Sequence, residues 1–166
     1  MRRPRVKIPL TNIDWLTEIV GAVFFILMIV YPWHYFDQLP ETIPIHYDGT
    51  GNPNGFGSKN ELWNLVLVGS VLYLGITILN FFPHWFNYMT TITKENAAEQ
   101  YRLSIIFMRR IKVLITIMFF EITYGTVQIA LFNKESINAW FLPVSLIVLI
   151  AIIVDYFHRA LKKVTN

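Results

Sequence analysis

His46 and Asp48, two residues apart in this 166-residue chain, are of types and at a spacing that suit chemistry. On an extended segment, positions two apart share a face, so an imidazole and a carboxylate there can hold a ligand together or lock a loop by hydrogen bonding. His34 offers a second imidazole, and three nitrogen or oxygen ligands plus water would make a catalytic-type zinc site. No H-E-x-x-H or comparable ligand spacing accompanies them. Asp48, Thr50, Asn52 and Asn54 follow the alternate-oxygen pattern of a calcium loop, but Pro53 takes its required glycine position and Lys59 its bidentate acid, which argues against calcium by that mode. A second polar constellation, Glu121, Tyr124 and Gln128, falls on one helical face inside an apolar run. A lipid-exposed carboxylate there would cost roughly 2.5 kcal/mol or more, so the face is expected to look into protein. Glu121 then reads as a packing fixture bonded to Ser70, Tyr73 or Ser145, as a proton-carrying or ligand-binding group, or as an oligomer contact.

The elements that must position these residues are apolar. Residues 19–36, 62–82, 113–132 and 139–157 each approach the roughly 20 residues that a hydrocarbon core requires. With 54% hydrophobic and 15% charged residues, a soluble chain of this size could not bury four helices that are apolar all round. The expectation is an all-α integral membrane protein: a single domain, 1–166, of four transmembrane helices. An ordered extracytoplasmic loop, 37–61, joins the first two, and an inner loop, 83–112, carries an amphipathic cytoplasmic helix before the third.

Every Lys and Arg except Lys59 and Lys134 lies on one side of these spans, so the N-terminus, the C-terminus and the middle loop are expected in the cytoplasm of a bacterial plasma membrane. The basic N-terminus runs into the first span without a small-x-small cleavage site, so that span is expected to be retained. The net charge of +3 suits anchoring at anionic lipid, and no basic, aromatic-interleaved surface for nucleic acid is present. The absence of cysteine excludes disulfides, thiol catalysis and thiolate metal sites. No internal repeat is visible, which weakens an inverted-repeat transporter.

In the outer loop, Gly49, Gly51, Asn52, Pro53, Asn54, Gly55 and Gly57 supply a turn vocabulary that favours one shape. Ile43, Ile45 and Tyr47 alternate with Pro44 and His46, which suits a short strand with Ile and Tyr on the helix ends and His46 facing away. Ser58 with Glu61 suits a capping box for the second span. On the inner side, Thr93 suits an N-cap, and Ala97, Ala98, Tyr101, Ile105 and Met108 form a stripe expected to lie at the membrane interface or to dock a cytoplasmic regulator. His84, Trp33, Trp63, Trp85 and Trp140 read as interfacial anchors.

The run Leu39-Pro-x-x-Ile43-Pro-Ile-His46-Tyr-Asp-x-x-Gly51-x-Pro53-x-Gly55-Phe-Gly57-Ser-Lys59 resembles the signature of the membrane domain of unknown function at the N-terminus of SdpI-type proteins, bacterial immunity proteins against secreted peptide toxins. Asn87-Tyr88, Ile92-Thr93-x-Glu95-Asn96 and Tyr101-Arg102 are similar to the cytoplasmic-loop pattern of that domain's relatives. SdpI itself resembles a longer arrangement, with further C-terminal spans. The resemblance implies a non-catalytic protein that binds a membrane-active toxin through Pro44, His46, Asp48, Gly51, Pro53, Gly55, Gly57 and Lys59, and that signals to a cytoplasmic regulator. Two other readings stand beside it: a metal-dependent intramembrane enzyme using His34, His46 and Asp48, with Glu121 as a further candidate, and a small transporter or proton pathway centred on Glu121. No cofactor is expected, and a homodimer is a reasonable assembly.

Overall fold

The computed structural model describes residues 3–162. An extended arm leads to helix α1 (Asn12–Tyr35), a 3-10 turn, a hairpin of β1 (Thr42–Tyr47) and β2 (Pro53–Ser58), and helix α2 (Leu62–Leu79). Helix α3 (Ala97–Phe132) and helix α4 (Phe141–Lys162) complete the chain.

Three helical stretches are long and apolar enough to cross a membrane: Asn12–Gln38, Lys59–Leu79 and Phe141–Lys162. Their outward faces leave Ile13, Leu16, Ile19, Leu67, Val71, Ile78, Leu146 and Ile147 exposed, an arrangement for which lipid, not water, is the matching solvent. Residues 113–132, read as a separate span, instead form the second half of one 36-residue helix. The amphipathic segment expected before it is the first half of the same helix. Of its stripe, Ala97, Tyr101 and Ile105 are packed on protein, the Tyr101 hydroxyl donating to the Pro4 carbonyl at 2.9 Å, while Met108 is half-buried and Ala98 exposed. Ahead of this helix the Thr93 hydroxyl accepts from the Asn96 amide and the Asn96 side chain accepts from the Thr93 amide, the reciprocal pair of a cap at Thr93, while the helix proper begins at Ala97.

Helix α3 is central and contacts each of the other three. Gly21 of α1 faces Val113, and Gly69 of α2 faces Met28 and Phe119, so the backbones approach where a side chain would intrude. Thr116 and Thr123 of α3 are buried, with hydroxyls donating to the carbonyls of Lys112 and Phe119 four residues back, both at 2.7 Å. Asn133, at φ 54°, ends α3 in the left-handed conformation.

The connection between α1 and α2 holds a two-stranded antiparallel sheet, so the fold is not purely helical. The strict alternation expected in β1 is broken. Ile43 pairs with Gly57 and Pro44 with Phe56, but the next pair is His46 with Gly55, and Tyr47 then pairs with Pro53. Ile45 and Asn54 are therefore bulged, which turns the following side chains to the other face. Ile43 and Pro44 both lie buried while Ile45 and His46 are exposed, where alternation predicts Ile45 inside. Leu39, Ile43, Leu62 and Val127 form a buried cluster beneath the hairpin, flanked by Tyr31, Tyr35 and Phe36.

Candidate functional site

Two polar regions stand at opposite ends of the bundle. At the hairpin end, Asp48 accepts from the Thr50 amide at 2.9 Å, the Thr50 hydroxyl at 2.7 Å and the Asn52 amide at 3.0 Å. These bonds, the Thr50 hydroxyl first, hold its carboxyl below the usual range. The His46 imidazole meets Asn54 across the strands. His46 and Asp48 thus each lock the hairpin separately and are not brought together on one ligand. His34 packs edge-on to Tyr35. Among the described residues, no three His, Asp or Glu side chains gather closely enough to hold a metal ion.

The hairpin is seated on the bundle at two points. Tyr47 shares a hydrogen bond with Thr126 of α3 at 2.7 Å, and burial pushes its phenol above the ordinary value, so it stays protonated. The Gly51 carbonyl accepts from the Ile137 amide at 3.0 Å. Gly51 has φ +88°, and a Cβ there would lie 2.6 Å from the Ile137 carbonyl oxygen. Gly55 and Gly57 leave room for His46 and for Ile45 and Glu61. Lys59 pairs with Glu41 at 3.0 Å and reaches the Leu39 carbonyl at 3.4 Å. Ser58 caps the short turn Lys59–Glu61 through the Asn60 amide; Glu61 makes no cap to α2, so the expected capping box does not form. Of the sequence-predicted loop residues, the glycines, Pro44, Asp48 and Lys59 therefore shape the hairpin. Its exposed face carries Phe56 (62% exposed) and Ile45 (40%) beside His46. Pro53, half-buried, pairs with Tyr47.

Within the bundle, the Gln128 amide donates to the Tyr31 hydroxyl at 2.6 Å, and the Tyr124 ring lies 5.1 Å from that of Tyr31. Glu121 does not join them. It is half-buried, and neither Ser70, Tyr73, Ser145 nor any other described residue bonds it.

At the far end lies an ionic ladder, where the sequence showed only basic residues on the side expected to be cytoplasmic. Asp14 and Glu18 are one helical turn apart on α1, and Arg102, Arg109 and Lys112 share a face of α3. Arg102 pairs with Asp14 at 2.6 Å, Arg109 bridges Asp14 and Glu18 at 3.0 Å each, and Lys112 pairs with Glu18 at 2.6 Å. The Lys112 side chain is 0% exposed; it also donates to the Thr77 hydroxyl at 3.1 Å and sits 4.9 Å from the Tyr73 ring centre. This ladder explains why α1 begins at Asn12 and not at residue 19: its acids are neutralised by α3, and Asp14 with Thr11 closes a capping box. The signal available in the sequence was two acids four apart at the edge of a span, which require cationic partners.

Residues 23–69, from α1 through the hairpin into α2, match the family model described as a domain of unknown function (DUF1648). An uncharacterized protein of Archaeoglobus fulgidus is 32% identical over 87 residues, covering 48% of this chain and 48% of that protein. The chain thus spans about half the length of that relative. No solved structure matches the chain. The matched segment holds the second half of α1, the hairpin and the first turns of α2; it includes none of the ladder and ends before Glu121.

Proposed function

We propose that the chain is a four-span cytoplasmic-membrane protein, α3 supplying the fourth span, whose outer hairpin and adjoining bundle end capture a secreted membrane-active peptide without turning it over. The Lys- and Arg-rich ends then face the cytoplasm, following the basic-residue asymmetry. One observation carries the reading: the hairpin is clamped at Tyr47 and Gly51, yet presents Ile45 and Phe56 exposed on the clamped scaffold. A rigid platform with apolar side chains held outward suits an amphipathic peptide arriving along the membrane surface, because the platform loses little conformational freedom on binding. The resemblance to SdpI-type immunity proteins supplies the class of ligand. The metal-dependent alternative has weaker support, since His46 and Asp48 are each engaged within the hairpin.

The test is photo-crosslinking in native membranes from an unnatural side chain at position 45, followed by mass spectrometry, with Phe56→Ala and His46→Ala in parallel. Capture of a secreted peptide that is lost in Phe56→Ala, with expression unchanged, supports the proposal. Capture of this chain alone, or peptide capture indifferent to both substitutions, overturns it.

A further inference from the structure

Away from the hairpin, the extended arm crosses the end of the bundle. Arg3 donates to the His84 carbonyl at 3.2 Å, and Arg102 donates to the Pro9 carbonyl at 3.2 Å. Between this arm, α1, α2 and α3 lies a cavity of about 710 Å³ whose lining includes Lys7, Trp15, Glu18, Asn80, Phe81 and Arg109. From its chemistry we infer that this cavity seats one anionic glycerophospholipid whose headgroup carries a free hydroxyl, phosphatidylglycerol being the simplest.

Three observations point there. Asn80 has both its amide nitrogen and its amide oxygen shielded from solvent without a hydrogen-bond partner, and Arg109 Nη1, though 3.0 Å from Asp14, makes no well-aligned hydrogen bond. Shielded groups of this kind are costly unless bonded, and they require a ligand that both accepts and donates. With a turn of the Asn80 and Arg109 side chains toward the cavity they line, a phosphate accepts from Arg109 Nη1, the Asn80 amide and the Lys7 ammonium, and a headgroup hydroxyl donates to the Asn80 carbonyl and to Glu18. A choline headgroup has no such donor. Next, Lys7 joins Arg102, Arg109 and Lys112 against Asp14 and Glu18 alone, so the region keeps a positive excess that an anionic headgroup completes. Finally, Trp15 and Phe81 are 56% and 75% exposed and continue the apolar outer faces of α1 and α2, so the cavity opens toward hydrocarbon, which favours a lipid over a free phosphate ester.

The inference does not depend on what the hairpin binds, and its experiment leaves the hairpin intact. The purified full chain in detergent is titrated with phosphatidylglycerol, with phosphatidylcholine of the same acyl chains, and with glycerol 3-phosphate, and bound species are counted by native mass spectrometry. One phosphatidylglycerol should be retained at roughly tenfold higher affinity than phosphatidylcholine, and Asn80→Leu and Lys7→Gln should each remove most of that preference. Lys7 lies exposed on the arm, so its substitution keeps the test valid if Asn80→Leu does not fold. Equal retention of both lipids, or a preference that survives Lys7→Gln, overturns the site. Retention of glycerol 3-phosphate at the affinity of the lipid overturns the lipid assignment.

Discussion

The two ends of the bundle are held together by opposite means. At the hairpin end the fit is steric and mostly neutral: glycines admit neighbouring atoms, Asp48 closes its own turn, and a single hydroxyl pair joins Tyr47 to Thr126. At the ladder end, charges far apart in sequence neutralise one another, Lys112 reaching Glu18 across 94 positions. The first end tolerates changes of charge at its surface but not added volume. The second tolerates added volume at its exposed rim but not a missing charge.

The largest effect should therefore come from the ladder. Lys112→Met leaves Glu18, a quarter exposed, with Arg109 alone, so the cost should fall at the lower end of the roughly 3–5 kcal/mol that breaking a buried ion pair takes. Arg110, whose pair with Asp155 is 43% and 33% exposed, serves as the internal control; Arg110→Ala should cost about 1 kcal/mol or less. Thermal unfolding of both variants in one detergent reads the difference. A Lys112→Met protein that unfolds with the wild type would erase the contrast between the ends.

That contrast also marks what could be read before the structure. The apolar runs and the turn residues 49–57 are local signals, so three membrane-length apolar helices and a turn-rich loop were visible without tertiary information. The bulges at Ile45 and Asn54 were not, because alternation of residue types cannot report a register shift between strands. Nor was the ladder, since a Lys on a helix is by default exposed; only the packing of α1 on α3 turns Lys112 into a 0% exposed side chain. Glu121 is the reverse case, a residue the sequence singles out and to which no described residue bonds. Tyr31 of α1 meets Phe120, Tyr124 and Gln128, spaced four apart along α3, and Glu121 lies beside that row and not in it.

The hairpin end is sharpened by two neighbouring glycines. Gly51→Ala forces a Cβ into the Ile137 carbonyl at a positive φ, a backbone contact that no side-chain rotation relieves, and should cost roughly 1–3 kcal/mol. Gly49 has nothing within 4 Å of the same added atom, so Gly49→Ala should leave the tip unchanged. Deuterium exchange over residues 47–55 and 133–140 should rise together in Gly51→Ala alone. Faster exchange confined to the hairpin would show that the contact with Ile137 is not what seats it.

The smallest effect concerns the charge of Asp48. Its carboxyl is held below the ordinary value of 3.8, first by the Thr50 hydroxyl and then by the Asn52 amide, so the folded hairpin binds this proton more weakly than the unfolded chain. The contribution of the ionised form is complete above pH 3.8 and is lost as pH falls through the lower folded value. Protonation weakens the three bonds that Asp48 accepts at an exposed turn while leaving Tyr47 and Gly51 clamped, so the tip should loosen without leaving the bundle. After correction for intrinsic exchange, protection of the Thr50 and Asn52 amides should drop below pH 3.8 in the wild type. In Asp48→Asn the same protection should be weaker at neutral pH and flat across that window. A drop of equal size in the Asn variant would assign the acid response to another group and leave Asp48 a spectator in its own turn.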